Sequence, residues 1–314
     1  MTRLLVVGGN GQVGRELRRS LRPLGEVVAT TRDGRLDALD NDASGAAGIA
    51  ADLADTGALA ALVRDLAPAA VINAAAYTAV DKAETEREAA FRINAEAPGA
   101  LARACTAAGI PLVHYSTDYV FDGQGARPYR EDDPTAPLGV YGASKLAGEE
   151  AVRAAGGRHL VFRTAWVYAA HGHNFLRTML RLGAERDELR VVADQVGAPT
   201  PAALIADVTA TALAQALARD AQPGGTWHLA AAGQTSWHGF AEAIFAEAVA
   251  AGLLPRAPRV VPITTADYPA PARRPAYSCL DTDSLRRDFA VELPQWRTAL
   301  GDVIAGMTAP RLLG

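Results

Sequence analysis

The chain has 314 residues, enough for two domains or one large one, and its 49% hydrophobic and 21% charged residues are typical of a globular protein. A net charge of −4 and a pI near 5.9 provide no basic excess for binding nucleic acid or an anionic membrane. Two cysteines are too few for a disulfide framework and lack the spacing of metal ligands. The first apolar run ends at Gly8, and no run approaches the roughly 18 residues of a membrane-spanning helix. We therefore expect a cytoplasmic protein with neither a nucleic-acid nor a membrane partner.

Short apolar runs alternate with helical patterns along the first half of the chain. The pattern predicts strands at residues 4–7, 27–29, 49–51, 71–72, 112–113 and 159–162, and helices at 12–21, 59–66 and from about 141. Such alternation indicates an α/β fold, a Rossmann-type doubly wound parallel sheet. We expect residues 1–170 to form a dinucleotide-binding domain. Residues 171–314 are expected to form mainly a smaller, loop-rich C-terminal substrate-binding domain, with segments that return to the first domain.

A glycine-rich loop follows the first predicted strand and opens the first predicted helix. Its glycines Gly8, Gly11 and Gly14 are spaced G-x-x-G-x-x-G and not G-x-G-x-x-G. Backbone N–H groups at such a helix start bind a pyrophosphate, which a side chain at Gly11 would obstruct. An ordinary tight turn is the alternative, but the position between strand and helix favours a dinucleotide site. We assign Gln12 and Val13 to the same site.

The end of the second predicted strand lacks the acidic residue that would hold the ribose 2′-hydroxyl of NAD. Thr31 and Arg32 stand at this place, and Asp33 comes one or two places late. Arg32 is suited to a 2′-phosphate, with a solvated loop arginine as the alternative. Asp52 and Leu53, after the third strand, are candidates for contact with the adenine. We therefore expect NADPH or NADH as cofactor, with NADPH accepted at least as well.

A tyrosine and a lysine stand four residues apart, at Tyr141 and Lys145, on one face of a predicted helix. A phenol is a poor acid near neutral pH unless a nearby cation stabilises the phenolate. The chain uses arginine almost everywhere and has lysine only at Lys82 and Lys145, so Lys145 is expected to have a chemical role. Ser116 and Thr117 follow a predicted strand, where open α/β sheets bind their ligands. These residues predict a catalytic hydroxyl, phenol and lysine.

These features resemble one enzyme superfamily. The glycine loop, the strand-end hydroxyls and the Tyr-x-x-x-Lys pair are similar to those of extended short-chain dehydrogenase/reductases. Longer strings resemble the dTDP-4-dehydrorhamnose reductases within it, at residues 73–84, 116–123, 141–149, 163–168, 194–200 and 235–240. The resemblance extends from the first strand to about Leu285, which is nearly the whole chain.

The resemblance implies that NAD(P)H reduces the 4-keto group of dTDP-4-dehydro-β-L-rhamnose to give dTDP-L-rhamnose, the last step of dTDP-rhamnose biosynthesis. It implies that Tyr141 donates the proton, that Lys145 lowers the pKa of Tyr141 and holds the nicotinamide ribose, and that Thr117 orients the carbonyl. Further matching positions are Ala74, Ala75, Ala76 and Tyr115 for the cofactor, and Val80, Asp118, Tyr119 and Trp166 for the sugar. A core position is the alternative for Trp166.

Two further expectations concern ions. Arg273 and Arg274 offer the bidentate donors that suit the substrate diphosphate, with a plain surface pair as the alternative.

Certain relatives contain a magnesium-bridged dimer built from acidic side chains, including a glutamate shortly after the Gly-Ala-Pro-Thr string. Here Glu16 is retained, but residues 201–204 contain no carboxylate. Because magnesium needs oxygen ligands, we expect no metal site, while the sequence leaves a homodimer open.

Two other functions compete with this interpretation. A non-catalytic cofactor-binding subunit, like the methionine adenosyltransferase beta subunit, would not need to keep Tyr141, Lys145 and Thr117 together. A related sugar-nucleotide epimerase or dehydratase is the second alternative. A dehydratase is expected to have an acidic pair after the strand-end threonine, whereas this chain has the single carboxylate of Asp118. The sequence therefore favours a reductase.

Overall fold

Short apolar segments of the chain form parallel strands in the computed structural model, which describes residues 2–39, 47–218 and 224–308. The strands are β1 (Arg3–Val7), β2 (Glu26–Thr31), β3 (Ile49–Ala50), β4 (Ala70–Asn73), β5 (Leu112–Thr117), β6 (His159–Thr164), β7 (Val167–Tyr168), β8 (Glu188–Val192), β9 (Val196–Gly197), β10 (Thr200–Pro201), β11 (Gly225–His228), β12 (Thr235–Ser236) and β13 (Arg259–Ile263). The α-helices are α1 (Gln12–Ser20), α2 (Thr56–Leu66), α3 (Val80–Ala83), α4 (Arg87–Phe91), α5 (Ala97–Ala108), α6 (Val140–Ala154), α7 (Phe175–Glu185), α8 (Ala202–Ala218), α9 (Trp237–Ala250), α10 (Asp283–Phe289) and α11 (Trp296–Thr308).

Seven of these strands form the central sheet, in the order β11-β6-β5-β4-β1-β2-β3, with every neighbouring pair parallel. The chain starts at β1 in the middle, winds outward through β2 and β3, and then returns to β4 on the other side. Ligands of such doubly wound sheets bind beyond the carboxyl ends of the strands, where the winding direction reverses. The predicted fold class is confirmed.

Alternate residues of β1 supply both faces of the sheet with core side chains. Leu4 and Val6 are fully buried in a cluster with Leu17 of α1, which also includes residues of α8. Leu5 and Val7 are fully buried in a second cluster, with residues of α2, α5 and α6. A strand buried on both faces has a continuous apolar sequence, which is the pattern of residues 4–7.

The strand β5 is longer than its apolar run predicts. It continues through His114 and Ser116 to Thr117, in register with β6, and all of its residues are buried. Polar side chains in a central strand hide this extension from a prediction that relies on apolar runs. As a result, Thr117 is the last residue of the strand, at the edge where ligands of such sheets bind.

The chain beyond residue 170 contributes to two regions. The helix α8 packs on α1, and β11 pairs with β6 to extend the central sheet. A separate apolar cluster lies among α7, α9 and α11 and contains Leu176, Phe240 and Leu300. The strands β8 and β13 pair in parallel beside this cluster. The division into domains at residue 170 stays a prediction.

No helix in the described part of the chain combines the length and the apolar character that a membrane crossing requires.

Candidate active site

The glycine loop between β1 and α1 is tight because two of its glycines contact each other. A Cβ on Gly14 would lie 2.0 Å from the carbonyl oxygen of Gly8, and Gly8 has a φ of +89° that favours glycine. A Cβ on Gly11 would lie 3.4 Å from that oxygen, which is an ordinary contact. The fold itself therefore requires Gly8 and Gly14, whereas the space at Gly11 is open to a ligand.

The first turn of α1 has the features of an anion site. No side chain of the described residues caps it, and the turn contains no acidic residue. Its first N–H groups have no partner within the helix, and the helix dipole favours negative charge at this end. Gln12 accepts a hydrogen bond of 2.8 Å from Nδ2 of Asn174, so its side chain is held at the start of α7. These features fit a pyrophosphate at the loop.

A cavity of about 240 Å³ lies between this loop and the ends of β2, β3 and β4. Among the predicted cofactor residues, those that line it are Gly8, Thr31, Arg32, Asp52, Leu53, Ala75 and Ala76. Arg32 is exposed, while Asp33 accepts hydrogen bonds from the Thr31 hydroxyl and from the backbone N–H of Arg35. The mixed polar and apolar lining fits an adenosine, with Arg32 available to a 2′-phosphate.

Lys145 is buried on α6, with 3% of its surface exposed. Its Nζ donates a hydrogen bond of 2.5 Å to the carbonyl oxygen of Tyr115. Burial lowers the pKa of Lys145 to about 8, and the negative charge of Glu149 one turn later opposes this effect. The ring of Tyr115 lies in the core, where its hydroxyl bonds Thr209 Oγ1 at 2.7 Å. A ligand at this place would therefore meet the main chain of Tyr115.

Tyr141 lies at the start of α6, and its ring meets that of Tyr119 edge-on, with centroids 5.4 Å apart. Burial raises the pKa of Tyr141 to about 12, a hydrogen bond with Thr117 lowers it, and the charge of Asp118 raises it. The contact of the Lys145 ammonium described above is with a carbonyl oxygen. The expected effect of Lys145 on the phenol therefore stays a prediction.

Thr117 connects Tyr141 to a buried carboxylate. The Thr117 hydroxyl donates a hydrogen bond of 2.9 Å to Oδ1 of Asp118 and accepts one of 3.2 Å from the N–H of Tyr119. Asp118 is 2% exposed, and burial raises its pKa to about 6, while the hydrogen bond from Thr117 acts in the opposite direction. The Thr117 hydroxyl thus lies next to both the Tyr141 phenol and the Asp118 carboxylate.

Ser116 directly precedes Thr117 at the end of β5. Successive residues of a strand point to opposite faces, so Ser116 and Thr117 diverge. Ser116 is 3% exposed, and its hydroxyl has no hydrogen-bond partner in the described part of the chain. The prediction that Ser116 is placed with Thr117 at the reacting carbonyl stays a prediction.

A second cavity, of about 750 Å³, lies beside α7, β8 and the segment after β13. Arg274, predicted for the diphosphate, lines it and pairs with Asp81 through Nη2 at 2.8 Å, whereas Arg273 is exposed. Val80, at the start of α3, is half-buried. Sequence reasoning missed Arg190, which also lines this cavity. Exposed and buried side chains alternate over residues 188–192, a pattern that predicts a strand with Arg190 on its exposed face. The sequence does not show where this strand lies, because its partner β13 comes some 70 residues later.

Trp166 is held in an unusual conformation next to the second cavity. Its φ is +48°, a value that side chains other than glycine rarely adopt. Its ring stacks on Trp237, a lining residue of that cavity, with centroids 3.6 Å apart. A Cβ on Gly197 would lie 2.5 Å from the Trp166 ring, so this glycine makes room for the stack. Strain of this kind is found at functional sites, which supports the predicted sugar contact over a plain core position.

The retained Glu16 contacts two neighbouring basic side chains. Its carboxylate lies 2.7 Å from Nε2 of His171 and 3.4 Å from Nε of Arg19. Within the described ranges 2–39, 47–218 and 224–308, no group of three or more histidine, cysteine or acidic side chains is arranged to hold a metal ion. The absence of a metal stays a prediction.

Comparison with known proteins identifies relatives over nearly the full length. A family model described as the RmlD substrate binding domain matches residues 1–309. A dTDP-4-dehydrorhamnose reductase from Burkholderia thailandensis is 54% identical over 304 residues, covering 95% of this chain and 97% of that protein. One from Escherichia coli K12 is 46% identical over 297 residues, covering 95% of each. The crystal structure of a Bacillus anthracis dTDP-4-dehydrorhamnose reductase in complex with NADP has a TM-score of 0.84 at 33% identity, covering 98% of this chain and 100% of that one.

Proposed function

Because this chain belongs to the dTDP-4-dehydrorhamnose reductase family, we propose that it is an NAD(P)H-dependent oxidoreductase that reduces dTDP-4-dehydro-β-L-rhamnose to dTDP-L-rhamnose. The resemblance stated from the sequence is confirmed by these relatives, and they give no support to a regulatory subunit or to an epimerase or dehydratase. The single observation that carries the proposal is the buried Tyr141 phenol next to the Thr117 hydroxyl, on the helix that also contains the buried Lys145.

The reaction adds a hydride to C4 of the keto sugar and a proton to its oxygen. The cofactor, when bound, supplies the hydride. Tyr141 donates the phenolic proton to the oxygen that becomes the 4-hydroxyl, and Thr117 hydrogen-bonds the same oxygen. The Lys145 ammonium stabilises the phenolate that remains. The proton that Tyr141 gives up is replaced from water after the product leaves, which returns the phenol to its starting state.

The first cavity and the glycine loop would hold the cofactor. The first turn of α1, with Gly11 and Val13, would bind the pyrophosphate through backbone N–H groups. Asp52 and Leu53 would contact the adenine, and Arg32 would bind the 2′-phosphate of NADPH. Further residues proposed to lie along the cofactor are Ala74, Ala75, Ala76, Tyr115 and Lys145. The Bacillus anthracis relative was solved with NADP, which supports this choice of cofactor.

The sugar and its nucleotide would occupy the side of the site that faces the second cavity. Tyr119, next to Tyr141, and the strained Trp166 are proposed to contact the sugar, together with Val80. Arg274 would bind the diphosphate, because a guanidinium offers several N–H donors to phosphate oxygens. The volume of about 750 Å³ is within the range of small-molecule sites.

The proposal is tested by following NADPH oxidation at 340 nm with enzymatically prepared dTDP-4-dehydro-L-rhamnose. We expect turnover with dTDP-L-rhamnose as the product, and weaker turnover with the UDP and GDP analogues. The wild-type protein is its own control when the sugar is omitted. NADPH binding without turnover would contradict the proposal and favour the regulatory function.

We also propose a cytoplasmic location, where NADPH and sugar nucleotides are available. The two cysteines, Cys105 and Cys279, are both buried and free, as is usual in a reducing compartment. The nucleotide sugar is the partner that this function requires. A homodimer stays open, and sedimentation equilibrium would decide it.

A further inference from the structure

Asp81, on the short helix α3, connects the central sheet to the segment that follows β13. Its Oδ1 accepts a hydrogen bond of 3.2 Å from the backbone N–H of Ala272. Its Oδ2 accepts one of 2.8 Å from Nη2 of Arg274. A single carboxylate therefore fixes both the main chain and the guanidinium of a segment more than 190 positions away.

This ion pair is near both the second cavity and Tyr119, the neighbour of the proposed catalytic tyrosine. Arg274 lines the cavity of about 750 Å³. Burial raises the pKa of Tyr119, and the charges of Arg274 and Asp81 then act on it in opposite directions, so both lie near that ring. The Tyr119 ring packs edge-on against that of Tyr141. A change at the ion pair is therefore close to both the nucleotide side and the reacting side of the site.

We propose that Asp81 is a positioning residue that fixes Arg274 at the cavity wall so that its guanidinium binds the diphosphate of the nucleotide sugar. The inference rests on the proposed function, because it assumes a nucleotide diphosphate in this cavity. A guanidinium has five N–H donors, and two of its nitrogens are engaged, Nη2 with Asp81 and Nη1 with the carbonyl of Ala272 at 3.3 Å. The donors left over are available to phosphate oxygens.

Because Asp81 fixes Arg274 before the ligand arrives, the arginine loses its rotamer freedom on folding and not on binding, which strengthens binding. The charge of Asp81 acts in the opposite sense, since a carboxylate repels a diphosphate. The side chains of Asp81 and Arg274 are 41% and 25% exposed, so water and salt screen that repulsion. We therefore expect the effect of position to outweigh the effect of charge, and the loss of Asp81 to weaken substrate binding.

The test combines Asp81→Asn, Arg274→Ala and the double variant. Asp81→Asn keeps the size of the side chain and an oxygen for the Ala272 N–H, but removes the ion pair. The readouts are KM for the keto sugar, kcat, KM for NADPH, and Kd for dTDP from titration calorimetry. Asp81→Asn is expected to raise the sugar KM and the dTDP Kd about three- to tenfold, the effect of releasing one rotamer-rich side chain. We expect kcat and the NADPH KM to change by less than about twofold, the usual error of additivity.

In the Arg274→Ala background, Asp81→Asn is expected to have no further effect, because Asp81 acts through Arg274. A matched control is Asp133→Asn. Like Asp81, Asp133 accepts a hydrogen bond from an arginine side chain, that of Arg127 at 2.8 Å, and one from a backbone N–H, that of Arg130 at 2.8 Å. Unlike Arg274, neither Asp133 nor Arg127 lines the second cavity. This control is expected to leave all four constants unchanged. If Asp81→Asn does not fold, Arg274→Lys, which keeps the charge and loses the planar fork, is expected to give the same rise in KM.

Tighter or unchanged dTDP binding by Asp81→Asn would overturn the inference, as would an equal loss in the Arg274→Ala background. A wild-type protein that binds dTDP but does not reduce the keto sugar would contradict the proposed function, and the dTDP titrations would still decide the role of Asp81. A wild-type protein that does not bind dTDP would overturn the inference directly.

Discussion

Replacing Lys145 with methionine separates the catalytic effect of the ammonium from its effect on folding. Burial lowers the pKa of Lys145 from 10.5 to about 8, which corresponds to a cost of about 3 kcal/mol for the buried charge. Removing the ammonium also leaves the Tyr115 carbonyl without its 2.5 Å hydrogen bond, a loss of about 1–3 kcal/mol. The variant is therefore expected to be between about 0 and 2 kcal/mol more stable than the wild type at pH 7, while kcat falls about 10²–10⁴-fold.

The lowered pKa of Lys145 also fixes how the difference in the free energy of unfolding between the two proteins changes with pH. The folded-state pKa lies below the unfolded value, so the cost of the charged lysine is fully present below about pH 8 and disappears between pH 8 and 10.5. Urea unfolding of the two proteins across this range is expected to show the advantage of the variant at low pH only. Lys82→Met, at the other lysine of the chain, which is exposed, is the control and is expected to change neither quantity. A Lys145→Met protein with wild-type kcat, or one destabilised by several kcal/mol, would refute the reasoning.

Three further predictions address the cofactor, the metal and the pH profile. Arg32→Ala is expected to raise KM for NADPH and leave that for NADH nearly unchanged, since Arg32 lines the first cavity; equal effects would contradict a 2′-phosphate contact. Treatment with EDTA is expected to leave most of the activity, and a loss that magnesium restores would show that a metal is needed. Wild-type kcat is expected to fall as pH rises through about 8, where Lys145 loses its proton; an unchanged rate at pH 10 would contradict a role for the ammonium.

The local part of the site was predictable because each motif lies within one stretch of chain. The spacing of Gly8, Gly11 and Gly14 and the four-residue interval from Tyr141 to Lys145 need only one loop or one helix turn to bring their residues together. The apolar run 4–7 likewise identifies a strand buried on both faces. Periodicity and spacing carry such information directly.

The parts that the sequence did not reveal depend on contacts between distant segments. The ion pair of Asp81 with Arg274 joins positions 193 apart, and no local pattern connects them. Trp237 acquires its position only when α9 packs beside β7, where it stacks on Trp166. The extension of β5 to Thr117 was missed because its polar residues are buried only through contacts with distant segments, such as that of His114 Nδ1 with Nδ2 of Asn73 at 3.2 Å.

The most direct test of the central claim, that Tyr141 donates the proton in a keto-sugar reduction, is kcat of Tyr141→Phe with NADPH and dTDP-4-dehydro-L-rhamnose. The matched control is Tyr168→Phe, which also removes a buried hydroxyl, one that has no hydrogen-bond partner among the described residues. We predict that Tyr141→Phe retains NADPH binding and loses kcat by about 10²–10⁴-fold, while Tyr168→Phe turns over at the wild-type rate. A Tyr141→Phe protein that reduces the sugar at the wild-type rate would contradict the account.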